Sequence, residues 1–173
     1  LLQKFFNKLE ILHYGKKIRD LDDYSFLGVE NRDYTCGASN DDALLMRTIL
    51  SSTADGNNRE SFAKFNYKGI FSNRFNFVSA EIVDGFTSPF PTARKKGETI
   101  KITSKDVVSG ATINQYYTIF DDSNVIATHS EFVNTSDSVI YVNKLSSLQL
   151  DFFGTKAQAI SFDGTWNHER MRH

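Results

Sequence analysis

The chain has 173 residues, 40% of them hydrophobic, and sets 20 Lys and Arg against 21 Asp and Glu for a net charge of −1. That length suits one domain with a real core. The charge balance argues against nucleic acid or an anionic membrane surface as partner and leaves neutral polar ligands such as sugars open.

Fifteen Phe, seven Tyr and only two Pro favour pleated strands joined by wet turns. Cys36 is the sole cysteine, so no internal disulfide can form, which fits a reducing compartment. No signal peptide is evident, and no apolar run approaches the ~20 residues of a spanning helix. The chain opens at Leu1, so the lack of a leader decides nothing.

In chain order, residues 9–18 (LEILHYGKKI) read as strand, turn and second short strand, with Gly15 at the turn. Residues 21–42 read as a long surface connection. Residues 43–50 (ALLMRTIL) fit a helical turn or a buried strand, and periodicity does not choose between them. Residues 51–59 (SSTADGNNR) read as a polar loop centred on Gly56-Asn57-Asn58. From Ser61 to Ile70, Ala63, Phe65 and Tyr67 alternate with Phe62, Lys64 and Asn66. Pro89 and Pro91 mark an extended turn.

The second half is more regular. Ile100 and Ile102 share one face of a strand, and Ile113, Tyr117 and Ile119 share one face of the next. Residues 121–124 turn, and residues 125–133 form a strand with Ile126 and Phe132 in phase. After a turn at 134–137, residues 139–150 read as a strand with Ile140, Val142, Leu148 and Leu150 in phase. A last short strand is expected over 158–162, ahead of Gly164. Ile100, Ile102, Ile113, Ile126, Phe132, Val142, Leu148 and Leu150 are the expected core. Short strands with Asn/Asp/Ser/Gly turns and no βαβ unit argue for an all-β, antiparallel β-sandwich.

Chemistry is sparse. A P-loop and a dinucleotide fingerprint are absent. His13, His129, His168 and His173 are scattered without ligand spacing, so no metal or other cofactor is expected. Asp22-Asp23, Asp41-Asp42 and Asp121-Asp122 are adjacent pairs. Neighbours on an extended chain point opposite ways, so these read as solvated turns and not as the convergent pair that glycoside hydrolysis needs. Trp166 is the sole tryptophan and reads as a packing anchor, with Glu169 and Arg170 beside it. No catalytic residue is identified.

Several stretches, in order, carry a resemblance to a known family. They are Tyr14-Gly15-Lys16-Lys17-Ile18; Gly56-Asn57-Asn58-Arg59-Glu60 with Phe65-Asn66-Tyr67-Lys68-Gly69; Val107-Val108-Ser109-Gly110; Tyr116-Tyr117-Thr118-Ile119-Phe120; residues 145–151 (LSSLQLD); and residues 162–170 (FDGTWNHER). This ordered set resembles the N-terminal β-sandwich domain of the bacterial α-galactosidases of glycoside hydrolase family 36. Asn57-Asn58 depart from that family's Asp-Phe pair, Ser61 from its Pro, and His168 from its usual Arg or Ala.

The resemblance implies a supersandwich of the galactose-mutarotase kind, incomplete in this segment. It implies that a strand or two belongs before Leu1 and that a TIM-type barrel bearing both catalytic Asp residues follows His173. It also implies a cytoplasmic, homo-oligomeric enzyme acting on galactosides such as melibiose and raffinose. This segment would contact its own barrel and neighbouring subunits through Trp166, Glu169 and Arg170. The loop Gly56, Asn57, Asn58 and Arg59 would stand on the substrate side. Two readings from other classes are a free-standing carbohydrate-binding module, with Tyr116, Phe120, Phe75 and Phe77 as an exposed sugar platform, and a purely structural assembly domain.

Overall fold

The computed structural model describes residues 1–5, 7–28, 47–55, 60–84, 97–121, 123–151, 158, 160–165 and 168–172. The described residues hold ten strands and two 3-10 turns, Ser25–Leu27 and Thr53–Asp55, with no α-helix. The strands are β1 Leu2–Phe5, β2 Lys8–Ile11, β3 Ala63–Tyr67, β4 Phe75–Val83 and β5 Gly97–Asp106, followed by β6 Thr112–Phe120, β7 Ile126–Val133, β8 Ile140–Leu145, β9 Phe162–Thr165 and β10 His168–Arg172.

Strands β4-β5-β6-β7 make a four-stranded antiparallel meander, while β1-β2, β3-β8 and β9-β10 pair as antiparallel ribbons. The β3-β8 ribbon and the β1-β2 hairpin cover the inner face of the meander. Their shared core holds Ile11, Ile49, Leu50, Phe62, Phe65, Phe75, Ile102 and Ile113. The expected antiparallel β-sandwich is therefore the observed fold. In β5 and β6 the two-residue period places Ile100, Ile102, Ile113 and Tyr117 on the inner face, as read from the sequence.

Several local expectations need correction. Ile126, Val142 and Leu148, expected in the core, are exposed. Ile126 does lie on the inner face, but at the end of the meander that the short ribbons do not reach. Val142 sits opposite the buried Phe65 on the open edge of its ribbon. The pairing slips between Lys64 and Phe65, which stand opposite Lys144 and Val142. The bulge inserts one residue, so Ile140 and Leu145 both reach the core although an odd number of steps separates them. Strand β8 ends at Leu145, and Leu148 falls beyond it.

Residues 16–18, expected as a second strand after Gly15, form none. Strand β2 pairs instead with the upstream β1, from Leu2 opposite Ile11 to Phe5 opposite Lys8. Thr48 forms a bridge to Glu10 beside that hairpin, and residues 47–50 are buried, with a bend at 49–50. The final pairing uses Phe162–Thr165 with His168–Arg172, later than the expected strand. Strand β4 has no counterpart in the sequence reading. At the tip of β3, Lys68 and Gly69 have φ of 52° and 86° between the bridged Tyr67 and Ile70, as a type I′ hairpin turn requires.

Candidate functional site

The loop singled out from the sequence springs from a braced stem. The 3-10 turn Thr53–Asp55 ends in a buried carboxylate. Lys8 Nζ lies 2.5 Å from Asp55 Oδ2 and also donates to the Phe75 carbonyl at 2.6 Å. Arg74 Nε stands 3.2 Å from Asp55 Oδ1. Burial holds the Lys8 ammonium below the usual lysine range, against the pull of Asp55.

The brace continues through Arg74. Its backbone N–H donates to Asp106 Oδ1 at 2.8 Å, and its carbonyl accepts from Val107 N at 2.9 Å. Asp106 Oδ2 accepts from Ser109 N at 2.8 Å, Ser109 Oγ at 2.7 Å and Val108 N at 3.3 Å. One chain of charges and amides thus ties β2, the 53–55 turn, the start of β4 and the end of β5.

The far side of the loop is held differently. Glu60 Oε1 lies 2.7 Å from Lys64 Nζ on β3 and 3.0 Å from Lys144 Nζ on β8. These hydrogen bonds hold the exposed Glu60 carboxyl down at about 2. Ser51 Oγ donates to the Glu60 carbonyl at 2.8 Å, and Phe62 N donates to the Ser51 carbonyl at 3.1 Å, closing the stem. Ser51 N donates to Gln149 Oε1 at 2.8 Å, and Ser52 Oγ donates to the Asn73 carbonyl. Ser51, Ser52 and Asp55, read from the sequence as part of an open polar loop, are buried because they anchor it.

Gly56, Asn57, Asn58 and Arg59 lie outside the described residues, as does Trp166. Glu169 and Arg170 fall in β10, whose backbone pairs with β9; their side chains are outside the description. Sequence reasoning missed Lys8, Asp55 and Arg74. Lys8 is 47 positions from Asp55, and no local pattern joins them.

The aromatic sugar platform is not formed. Phe75 and Phe120 are 1% and 6% exposed, and Phe77 packs against the core. Tyr116 is half-buried, stacked on His129 with centroids 4.3 Å apart at 9°, and its hydroxyl donates to Glu131 Oε2 at 2.9 Å. Burial and then Glu131 push the Tyr116 phenol up to about 12. Asp23, in the one adjacent acidic pair fully described, accepts from Ser25 N and Oγ at 2.8 Å in an exposed turn, as its type suggested. Among the described residues, no group of His, Cys, Asp and Glu could hold a metal ion.

The inner face of the meander outruns its cover. Phe77, Ser104, Ile113 and Phe132 form one cross-strand row within the core. Further along stands the row Ile82, Ile100, Tyr117 and Thr128, and beyond it Ile119 beside Ile126. Exposure reaches 71% at Ile82, 55% at Ile119 and 40% at Ile126. Among the described residues, these exposed apolar side chains stand in adjacent rows of the inner face.

A β-sandwich with charge networks at Asp55 and Glu60 and, among the described residues, exposed apolar side chains at one end of its inner face is the class of domain defined so far. Residues 7–173 match the family described as the glycosyl hydrolase family 36 N-terminal domain, and the chain belongs to that family. The α-galactosidase from Lactobacillus brevis superposes with a TM-score of 0.84 at 21% identity, over 99% of this chain and 25% of that one. A variant of the family 36 α-galactosidase AgaA from Geobacillus stearothermophilus, determined with raffinose, gives 0.81 at 18% identity over 99% of this chain and 26% of that one. Alpha-galactosidase 1 of Pediococcus pentosaceus is 27% identical over 88 residues, which is 51% of this chain and 12% of that protein. The chain thus spans about a quarter or less of the length of these relatives.

Proposed function

We propose that this chain is a non-catalytic N-terminal segment of an α-galactosidase that removes terminal galactose from melibiose- and raffinose-type sugars in carbohydrate catabolism. Family membership supports the reading, as do the names of the relatives and the raffinose bound by one of them. In this account a TIM-type barrel beyond residue 173 supplies both catalytic carboxylates. Retaining chemistry sets them ~5–5.5 Å apart, one attacking the anomeric carbon and the other acting as acid and then base.

The observation that carries the architectural role is how the buried carboxylates are employed. Asp55 faces Lys8 and Arg74, Asp106 closes a turn, and Glu10 lies 4.0 Å from Arg47. Acids so engaged tie strands together. The uncovered rows around Ile82 and Ile119, with Trp166, Glu169 and Arg170, are the surfaces assigned to the barrel and to neighbouring subunits of a homo-oligomer. Residues 56–59 are assigned to the substrate side. A cytoplasmic setting, as the family resemblance implies, is part of the proposal.

The test is proton NMR of raffinose hydrolysis by the full-length protein. Galactose appearing first as its α anomer supports the reading. No galactose release, or release first as the β anomer, overturns it.

A further inference from the structure

We propose that strand β7 is a junction between two copies of this chain: two β7 strands pair antiparallel about a two-fold axis at Ser130 and join two four-stranded meanders into one continuous sheet. The inference deepens the homo-oligomer reading above by naming a surface made entirely of described residues.

The two outer strands of the meander are finished differently. On β4 the pairing with β5 slips at Val78, and the Phe77 amide already donates to the Asn7 carbonyl at 2.7 Å. A bulge and an occupied amide both blunt a sheet edge. On β7, eight residues pair with β6 in unbroken register, from Thr112 opposite Val133 to Ile119 opposite Ile126. Among the described residues no other strand pairs with β7. A regular edge of that length is a template for a further strand.

The sequence of β7 selects the strand that fits. Opposite residues of an antiparallel pair share a face, so the inner faces of two copies join only when the axis passes through a residue. At Ser130 the axis sets His129 opposite the second copy's Glu131, twice, on the outer face. Ala127 then meets Val133, and on the inner face Thr128 meets Phe132. An imidazole N–H donates to a carboxylate in either protonation state. Tyr116 and Asn114 both donate to Glu131 Oε2, so Oε1 can accept across the junction. An axis at His129 or at Glu131 would instead set like residues face to face, which disfavours those registers. A junction of this size is too small to hold a dimer alone, so it acts within an oligomer that has other contacts.

The test uses the full-length protein. Mild oxidation of Ser130→Cys should give, as its main product, a disulfide between the position-130 sulfurs of two chains, identified by mass spectrometry of unreduced peptides. Opposed residues have Cβ atoms about 4.5–5.5 Å apart, whereas residues offset by two stand about 7–8 Å apart, beyond disulfide reach. His129→Cys and Glu131→Cys should therefore crosslink in a mixture and about fivefold less well alone. That mixture keeps the test open should Ser130→Cys fail to fold. Glu131→Lys should lower the Ser130→Cys crosslink about tenfold, and adding His129→Glu should restore it by exchanging the opposed charges.

Absence of both crosslinks in a protein that sediments as an oligomer overturns the β7 junction and spares the homo-oligomer reading. Equal crosslinking of the single variants at 129, 130 and 131 overturns it too, because random collision has no register. A parent protein that sediments as a monomer overturns both.

Discussion

Phe65 of β3 meets Phe132 of β7 edge-on across the sandwich, their ring centroids 5.1 Å apart at 64°. Phe65 also makes an edge contact with Phe75 of β4 at 5.8 Å. One ring from the covering ribbon thus touches both outer strands of the meander, and the core is organised around it.

Phe65→Ala should therefore cost about 3–5 kcal/mol, the range for emptying a fully buried aromatic site. Ile126→Ala, at the partly exposed end of the meander's inner face, should cost less than about 1 kcal/mol. Urea unfolding of the two variants checks the contrast, and similar losses would show that Ile126 is covered in solution.

Asp106→Ala should be among the most damaging polar changes, at about 3 kcal/mol. It removes the carboxylate that accepts from the amides of Arg74, Val108 and Ser109. Thermal unfolding measures it, and a loss below about 1 kcal/mol would mean that water replaces the carboxylate.

Gly97→Ala should destabilise the chain through close approach. A Cβ there would lie 2.4 Å from the Ile119 carbonyl oxygen and 2.9 Å from the Phe120 ring, and the oxygen belongs to the paired strand. Parting β5 from β6 should cost about 1–3 kcal/mol. Amide exchange localised to residues 97–100 and 117–120 would report it, and unchanged protection there would contradict it.

The Glu60 carboxyl, held at about 2 by Lys64 and Lys144, should titrate far below an ordinary glutamate. Its folded value is depressed, so the stability it adds is present above the unfolded value of about 4.5 and fades as pH falls from there through 2. The contribution is small and salt-sensitive because the group is exposed. Carboxyl NMR should show the midpoint rising toward the ordinary range in Lys144→Ala; a wild-type midpoint near 4.5 would show that the two lysines do not hold it.

The uncovered apolar rows should make the isolated chain associate as concentration rises. Sedimentation velocity across a concentration series should show this, and Ile82→Lys with Ile119→Lys should suppress it. A compact monomer at high concentration would mean that the rows are solvent-tolerant and the domain complete.

The parts of this fold legible in the sequence were those where one period ran unbroken. Ile100, Ile102, Ile113 and Tyr117 lie on strands without a bulge, and their inward face followed from alternation. Where a bulge intervenes the phase slips. Val78 is skipped between Phe77 and Ser79 in the pairing of β4, and that strand escaped notice; the slip in β8 brings Leu145 to the core out of step with Ile140. Ile126 shows a second limit: alternation gives the face of a sheet, while burial depends on how far the partner layer extends. For the candidate site, the loop was visible in its Gly and Asn residues. Its bracing was not, because Lys8, Arg74 and Lys144 arrive from strands distant in the chain.

The most direct test of the central claim is whether residues 1–173, purified alone, release nitrophenol from p-nitrophenyl α-galactoside. The account predicts no release above the uncatalysed rate, while the full-length protein turns the substrate over. Release by residues 1–173 that disappears when one of their carboxylates is replaced, as in Glu131→Gln, would contradict it.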